Sequence, residues 1–477
     1  AISCFANPGK NNGLGLRCVN GTMSENASPT VCFIVHGILV CLALLSFAAS
    51  AGDIPVLAKY FNTKSRYEEV NPHLIDDVLT VNASAVKPPA PGCRAAHLTA
   101  IVRHGTRYPT IGNIKKFHKL RDLVAAAATG DRGPLPGLES WQMRYTYEMD
   151  GRLAAKGRAD LGHLAQRLVR SFPSLLTERN LRAGRVKFVT SSKHRCVNST
   201  VAFQRGLTDT LGMPGAELER TVNDALMRFF DRCRRLVEKN LEAAPQVALF
   251  NGGPEMTRVR EKVADTLRIP YANITLGQGS AGHSVEAAFY LCAHDFTIND
   301  TISPWCNLFD ESDGQVMEYS GDLKQYWKRG FGYDINSKSS CILFHDLFSR
   351  LDATVSQIRS GVPVSEVVTV QVGHAETLLP LLTLLDLFKD PTRLMSSNFA
   401  AQRNRAFRSG RIVPYAANLL VVLYSCTEGL RLQVRLNEQP LTLPDLSDPS
   451  PLYEDVRTRY AQLLQGCDQE TVCKVDN

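Results

Sequence analysis

The sequence predicts an α/β fold in which a large domain with a mostly parallel central sheet is interrupted by a smaller α-rich domain, and three observations lead there. Short apolar or β-branched runs recur at Ala96–Val102 (AHLTAIV), Arg185–Thr190 (RVKFVT) and Val367–Val372 (VVTVQV), each breaking off at polar residues. Helix-like stretches separate them. From about Val201 to Ile358 the chain turns to Arg-, Leu- and Phe-rich segments with few β-branched runs, as an α-rich insertion does.

Each element follows in order. After a Pro-rich connector, Val86–Gly92, the first strand ends at Arg103 and is broken by Gly105 and Pro109. Asn113–Ala128 reads as a basic helix, and Leu153, Leu161, Leu164 and Leu168 recur at helical spacing until Phe172-Pro173 stops them. The second strand runs into Ser191–Cys196 (SSKHRC). The third ends at Gly373-His374-Ala375-Glu376 and passes into a helix from Thr377 to Phe388, where Pro380 is tolerable in a first turn. Leu419–Leu423 is a further buried strand. Leu430, Leu432, Val434 and Leu436 alternate with polar residues, which predicts a strand with one exposed face. The expected organisation is leader and signal peptide over 1–51, the large α/β domain over 52–204 and 359–477, and the inserted α-rich domain over 205–358.

Of 477 residues, 44% are hydrophobic and 21% charged, with a net charge of +7, which is a globular composition that suits a small anionic substrate. No dense Lys/Arg block or aromatic-basic interleaving marks a nucleic-acid partner, and no obligate protein partner is implied. Val31–Gly52 is apolar with small residues at Ala49–Ala51. It reads as a signal peptide cleaved near Gly52 or, uncleaved, as a membrane anchor of ~20 residues. Of 13 cysteines, Cys4, Cys18, Cys32 and Cys41 precede that point, and the odd remainder leaves at least one free thiol in an oxidising compartment. Cys467 and Cys473 are spaced to close a short loop. Sequons at Asn82, Asn198, Asn273 and Asn299 are candidate glycosylation sites, consistent with the secretory pathway.

Three strand ends carry the chemistry: Arg103, His104 and Arg107 follow the first, Arg195 the second, His374 and Glu376 the third. Open α/β sheets bind ligands at that edge. Guanidinium forks complement the equatorial oxygens of a phosphoryl group in transfer, and an imidazole on the open axis can attack phosphorus and hold the group covalently. Glu376 is then the acid for the leaving alkoxide, and His374 a phosphate ligand. The scheme calls for no metal and no cofactor, because the arginines neutralise the charge. For Arg195 the alternative is a surface ion pair, and for Glu376 a helix-start carboxylate.

Other motifs fail. His374-x-Glu376 lacks the downstream P-C-x-x-C of a zinc deaminase, and no P-loop or G-x-S-x-G elbow is present. Gly277, Gly279 and Gly282 match a dinucleotide fingerprint but follow no proper strand, so they read as a loop. A phosphotransferase and a catalytically silent polyanion binder are the rival functions.

The string Arg103-His104-Gly105-Thr106-Arg107-Tyr108-Pro109, with a distal Arg and a final His motif, resembles the histidine acid phosphatase branch of the histidine phosphatase superfamily. Most of that branch ends in His-Asp. The His374-Ala375-Glu376 form is similar to the multiple inositol polyphosphate phosphatases, the vertebrate members above all. Thr63–Tyr67 (TKSRY), Val70-Asn71-Pro72, SSKHRC, Thr221–Cys233 (TVNDALMRFFDRC), Asp322–Tyr333 (DLKQYWKRGFGY) and Gly373–Leu382 (GHAETLLPLL) extend the match. The resemblance implies a histidine phosphatase-like fold, His104 as nucleophile, Arg103, Arg107, Arg195 and His374 around the phosphate, and Glu376 as proton donor. It implies hydrolysis of inositol hexakisphosphate (phytate) and lower inositol phosphates, and in some members of 2,3-bisphosphoglycerate. A substrate with several phosphates makes Lys64, Arg66, Arg228, Lys324, Lys328 and Arg329 candidate contacts, although Lys324 and Lys328 also fit an ordinary solvated helix face. Several phytases carry a Lys where this chain has Ile111; Lys115 and Lys116 are the nearby substitutes. The vertebrate relatives are endoplasmic-reticulum residents ending in a retention tetrapeptide, whereas this sequence stops at Lys474-Val475-Asp476-Asn477. Either the sequence is incomplete at its end or the protein is secreted, so the expected setting is the endoplasmic-reticulum lumen or outside the cell.

Overall fold

The apolar runs become strands of a seven-stranded sheet: β1 (Arg94–Arg103), β2 (Val186–Thr190), β3 (Thr221–Val222), β4 (Val368–Gly373), β5 (Asn418–Cys426), β6 (Gly429–Leu436) and β7 (Gln439–Leu441). Their order is β3-β2-β4-β1-β5-β6-β7. The first four strands in that order are mutually parallel, and β5, β6 and β7 add an antiparallel wing. The computed structural model describes residues 56–82, 86–127, 135–242, 244–275 and 282–475. The Val31–Gly52 segment lies outside these, as do Gly277 and Gly279.

The helices that bear on the site are α1 (Ile111–Ala127), α2 (Ala155–Ser171), α3 (His194–Thr210), α4 (Gly282–Asn299), α5 (Glu311–Arg329), α6 (Cys341–Arg359) and α7 (Ala375–Leu384). Leu161, Leu164 and Leu168 of α2 and Phe203 and Leu207 of α3 bury against Leu98, Ala100, Val102, Val368 and Val370 of the sheet. Burying side chains of this size contributes roughly 1.5–3 kcal/mol each, so this layer anchors the parallel strands. The two helices cross closely at glycine: a Cβ on Gly206 would meet the Gly162 carbonyl oxygen at 2.5 Å.

Three expectations are corrected. The alternating face of β6 is not exposed: Gln433 and Arg435 are buried, with the Arg435 guanidinium 5.3 Å over the Phe172 ring and its Nε donating to Gln433 Oε1 at 2.8 Å. A period of two shows only that the faces differ, and here Phe172 and Ser450 cover the polar one. Pro380 lies in the second turn of α7, because the helix starts at Ala375 rather than Thr377. Position 380 therefore cannot donate to the Glu376 carbonyl. Cys467 and Cys473 do not pair with each other; the disulfides are Cys93–Cys426, Cys233–Cys473, Cys292–Cys306 and Cys341–Cys467, with Cys196 free and buried. Proximity along the chain yields to proximity in the fold. Four disulfides match an oxidising extracellular or luminal compartment. Among the described residues no helix is long and apolar enough to cross a membrane.

Candidate active site

Parallel pairing of Arg103 with Gly373 and of Thr190 with Val372 brings three strand ends level, so His104, Ser191 and His374 emerge side by side. The His104 amide donates to the Gly373 carbonyl at 3.0 Å, and the Ala416 amide to the His104 carbonyl at 3.1 Å. The loop beyond is held as firmly. Asp160 accepts from the Thr106 amide (3.0 Å) and hydroxyl (2.7 Å), and Ser199 Oγ from the Gly105 amide (3.1 Å). Gly105 has no room for a side chain, since its Cβ would meet the Gly157 carbonyl oxygen at 2.2 Å.

His104 is 3% exposed, and its Nδ1 lies 2.9 Å from the Gly105 carbonyl. A carbonyl only accepts, so Nδ1 carries the proton and Nε2 keeps its lone pair. Burial first, then the charges of Arg195 and Arg103, push this imidazole well below its ordinary pKa. It is a neutral imidazole whose Nε2 lone pair is not spent on a protein hydrogen bond.

Around it stand three arginines. Arg103 donates to the Thr63 (2.7 Å) and Val413 (2.6 Å) carbonyls, and its guanidinium lies 4.6 Å from the Tyr415 ring centre. Arg107 donates to the Tyr108 carbonyl (2.8 Å), and Arg195 to His374 Nδ1 (3.1 Å). The Nε of each is buried and unpartnered. Burial is the main cause that lowers Arg103, to about 10, and Arg195 as well, with Arg107 adding to both. Three guanidiniums with unspent donors around one imidazole are the electrostatic complement of a tetrahedral dianion.

Because a guanidinium only donates, His374 Nδ1 is the acceptor, and Nε2 donates to Ser191 Oγ at 3.0 Å. Burial and Arg195 bring its pKa down to about 3. The two imidazoles lie 5.6 Å apart. Glu376, in the first turn of α7, accepts from Arg329 at 3.0 Å. Burial pushes this carboxyl up, but Arg329, His374, its own amide and Arg103 outweigh that and hold it well below the usual carboxylate range.

Of the outlying candidates, Lys64 places Nζ 3.6 Å from the Tyr290 ring centre. Lys324 and Lys328 line a cavity of about 470 Å³ together with Lys116, Arg260, Glu286 and Tyr290. Arg66 pairs with Glu69 (3.0 Å) and Asp300 (2.7 Å), and Arg228 with Asp224 (3.4 Å) and Asp231 (2.5 Å). Asn82, Asn273 and Asn299 are exposed, whereas Asn198 is half-buried in α3 and donates to the His194 carbonyl at 2.8 Å.

Sequence reasoning missed Tyr415, fully buried with an unpartnered hydroxyl and its ring 6.0 Å from His104, and Ser191, which fixes the His374 tautomer. It also missed His294, buried with both ring nitrogens unpartnered. Only the Ser191 signal was visible in advance, as the serine that follows β2. Among the described residues no group of His, Cys, Asp and Glu is arranged to hold a metal ion.

Comparison with known proteins shows the family. A family model described as the histidine phosphatase superfamily (branch 2) matches residues 96–439. Multiple inositol polyphosphate phosphatase 1 of Gallus gallus is 47% identical over 444 residues, covering 91% of this chain and 96% of that one. The Homo sapiens protein of the same name is 42% identical over 453 residues, covering 88% and 89%. The Bifidobacterium longum multiple inositol polyphosphate phosphatase in complex with inositol hexasulfate superposes with a TM-score of 0.63 at 13% identity, covering 81% of this chain and 93% of that one.

Proposed function

The chain belongs to branch 2 of the histidine phosphatase superfamily, and from that membership we propose that it is a phosphomonoesterase hydrolysing inositol hexakisphosphate and lower inositol polyphosphates through a phosphohistidine. The same site chemistry extends to 2,3-bisphosphoglycerate.

His104 Nε2 attacks phosphorus as the ester P–O bond breaks, and Arg103, Arg107 and Arg195 take the equatorial oxygens. Glu376 gives its proton to the departing alkoxide. A carboxyl held ionised by Arg329 and Arg103 becomes a usable acid once substrate phosphate offsets those cations. The carboxylate then takes a proton from the water that attacks the phosphohistidine, which releases phosphate and restores Nε2. As phosphate draws Arg195 away, His374 gains a proton beside the dianion and donates to one of its oxygens.

Lys64, Lys324 and Lys328 are assigned to the further phosphates of the substrate. Arg66, Arg228 and Arg329 have carboxylate partners and are assigned positioning roles. The proposed setting is the secretory pathway, in the endoplasmic-reticulum lumen or outside the cell, with Asn82, Asn273 and Asn299 as glycan acceptors.

The observation that carries this reading is the His104 tautomer, with Nδ1–H tied to Gly105 and Nε2 free among three guanidiniums. The test is phosphate release from inositol hexakisphosphate in EDTA, beside H104A. Release by the wild type, and a loss on the order of 10³-fold or more in the variant, is the expected result. Undiminished release by H104A, or none by the folded wild type, brings the polyanion-binding alternative forward.

A further inference from the structure

A largely cationic cavity has a carboxylate in its wall. Of the side chains that line the 470 Å³ space, Lys116, Arg260, Lys324 and Lys328 are cationic and Glu286 alone is acidic. Glu286, on α4, accepts from Lys116 Nζ on α1 at 2.8 Å, and both side chains are about one-quarter exposed. One helical turn on, Tyr290 presents its ring to Lys64, whose main opposing charge is again Glu286. Lys64 also feels Lys324, Arg107 and Arg103, so the cavity and the catalytic cluster share one field.

We propose that Glu286 is a specificity-determining residue that selects substrates presenting a free ring hydroxyl, rather than a phosphate, at the Lys116 end of this cavity. The inference rests on the inositol polyphosphate reading above. A phosphate arriving beside Glu286 meets a like charge and must compete with it for Lys116. A hydroxyl there donates to the carboxylate and leaves the ion pair intact. Lower inositol phosphates are thus favoured over the fully phosphorylated ring.

The experiment measures KM for inositol hexakisphosphate, for an inositol pentakisphosphate and for p-nitrophenyl phosphate, which is too small to span both regions. Glu286→Gln keeps the shape and an acceptor oxygen but removes the charge. The expected result is a fall of about fivefold in the ratio of hexakisphosphate KM to p-nitrophenyl phosphate KM, the scale of a partly exposed ion pair. The pentakisphosphate should fall less, and Lys116→Met should shift the hexakisphosphate ratio upward. An unchanged ratio, or one factor common to all three substrates, overturns the inference and leaves the proposed function standing. A wild type that cleaves p-nitrophenyl phosphate but no inositol phosphate overturns both. Should E286Q not fold, Glu286→Asp, which shortens the reach to Lys116, is read by the same ratios.

Discussion

The Nδ1–H of His104 is spent on its own loop's carbonyl, while Arg195 and Ser191 assign opposite roles to the two nitrogens of His374. These details matter because a nucleophile needs a lone pair aimed at phosphorus, and a neutral imidazole offers one only on the nitrogen without hydrogen. Lys64 is sensitive to pH near neutrality. Burial, together with Lys324, Arg107 and Arg103 and against Glu286, lowers it to about 7. Bound phosphate restores its charge, so substrate binding takes up a proton wherever the free amine is neutral. KM for inositol hexakisphosphate is therefore expected to rise as pH climbs through about 7, by at most ~10-fold per pH unit for one proton. In K64M that dependence should flatten; an identical pH profile in the variant removes Lys64 from the substrate site. The motif residues were legible in the sequence, because their spacing is local. The pairing of Glu376 with Arg329 was not, since 47 residues separate them.

Among elements, the critical junction is the turn that leaves β1 against the start of α2. Gly105 and Gly157 touch backbone to backbone, and a Cβ on Gly157 would meet the Thr106 carbonyl oxygen at 2.0 Å. Gly105→Ala is expected to cost about 1–3 kcal/mol of stability by overpacking and to displace His104, so activity should fall further than stability accounts for. Gly112→Ala is the control: α1 has open space there, and the change should be neutral or stabilising by up to about 1 kcal/mol. Thermal melts with phosphate-release rates decide it, and equal effects of the two variants would refute the packing argument. The parallel strands and their order of appearance were readable from apolar runs. The exposure of β6 was not, because alternation cannot say what covers the second face.

For the whole molecule, chain closure is the governing feature. Cys93 and Cys426, 333 residues apart, join the start of β1 to the end of β5, just beside the Arg94–Ser425 pair. Loop-closure entropy makes this the most stabilising kind of cross-link, on the order of 5 kcal/mol. The double variant C93S/C426S should therefore melt about 5 °C below the wild type while keeping activity when folded. A melting temperature within about 1 °C of the wild type contradicts the argument. Cys233–Cys473 and Cys341–Cys467 likewise tie the last helical turns to the α-rich segment.

The sequence by itself singled out the groups proposed to react and the edge of the sheet that bears them. Strand ends are set by local breakers such as Gly105 and Pro109, and the chemistry of arginine, histidine and glutamate travels with the residue. Only the tertiary structure decided which nitrogen of His104 is free, that Tyr415 packs beside His104 and Arg103, that Glu286 interrupts a cationic wall, and which cysteines meet. Each of these depends on contacts between distant segments, whose energies no local pattern of residues encodes.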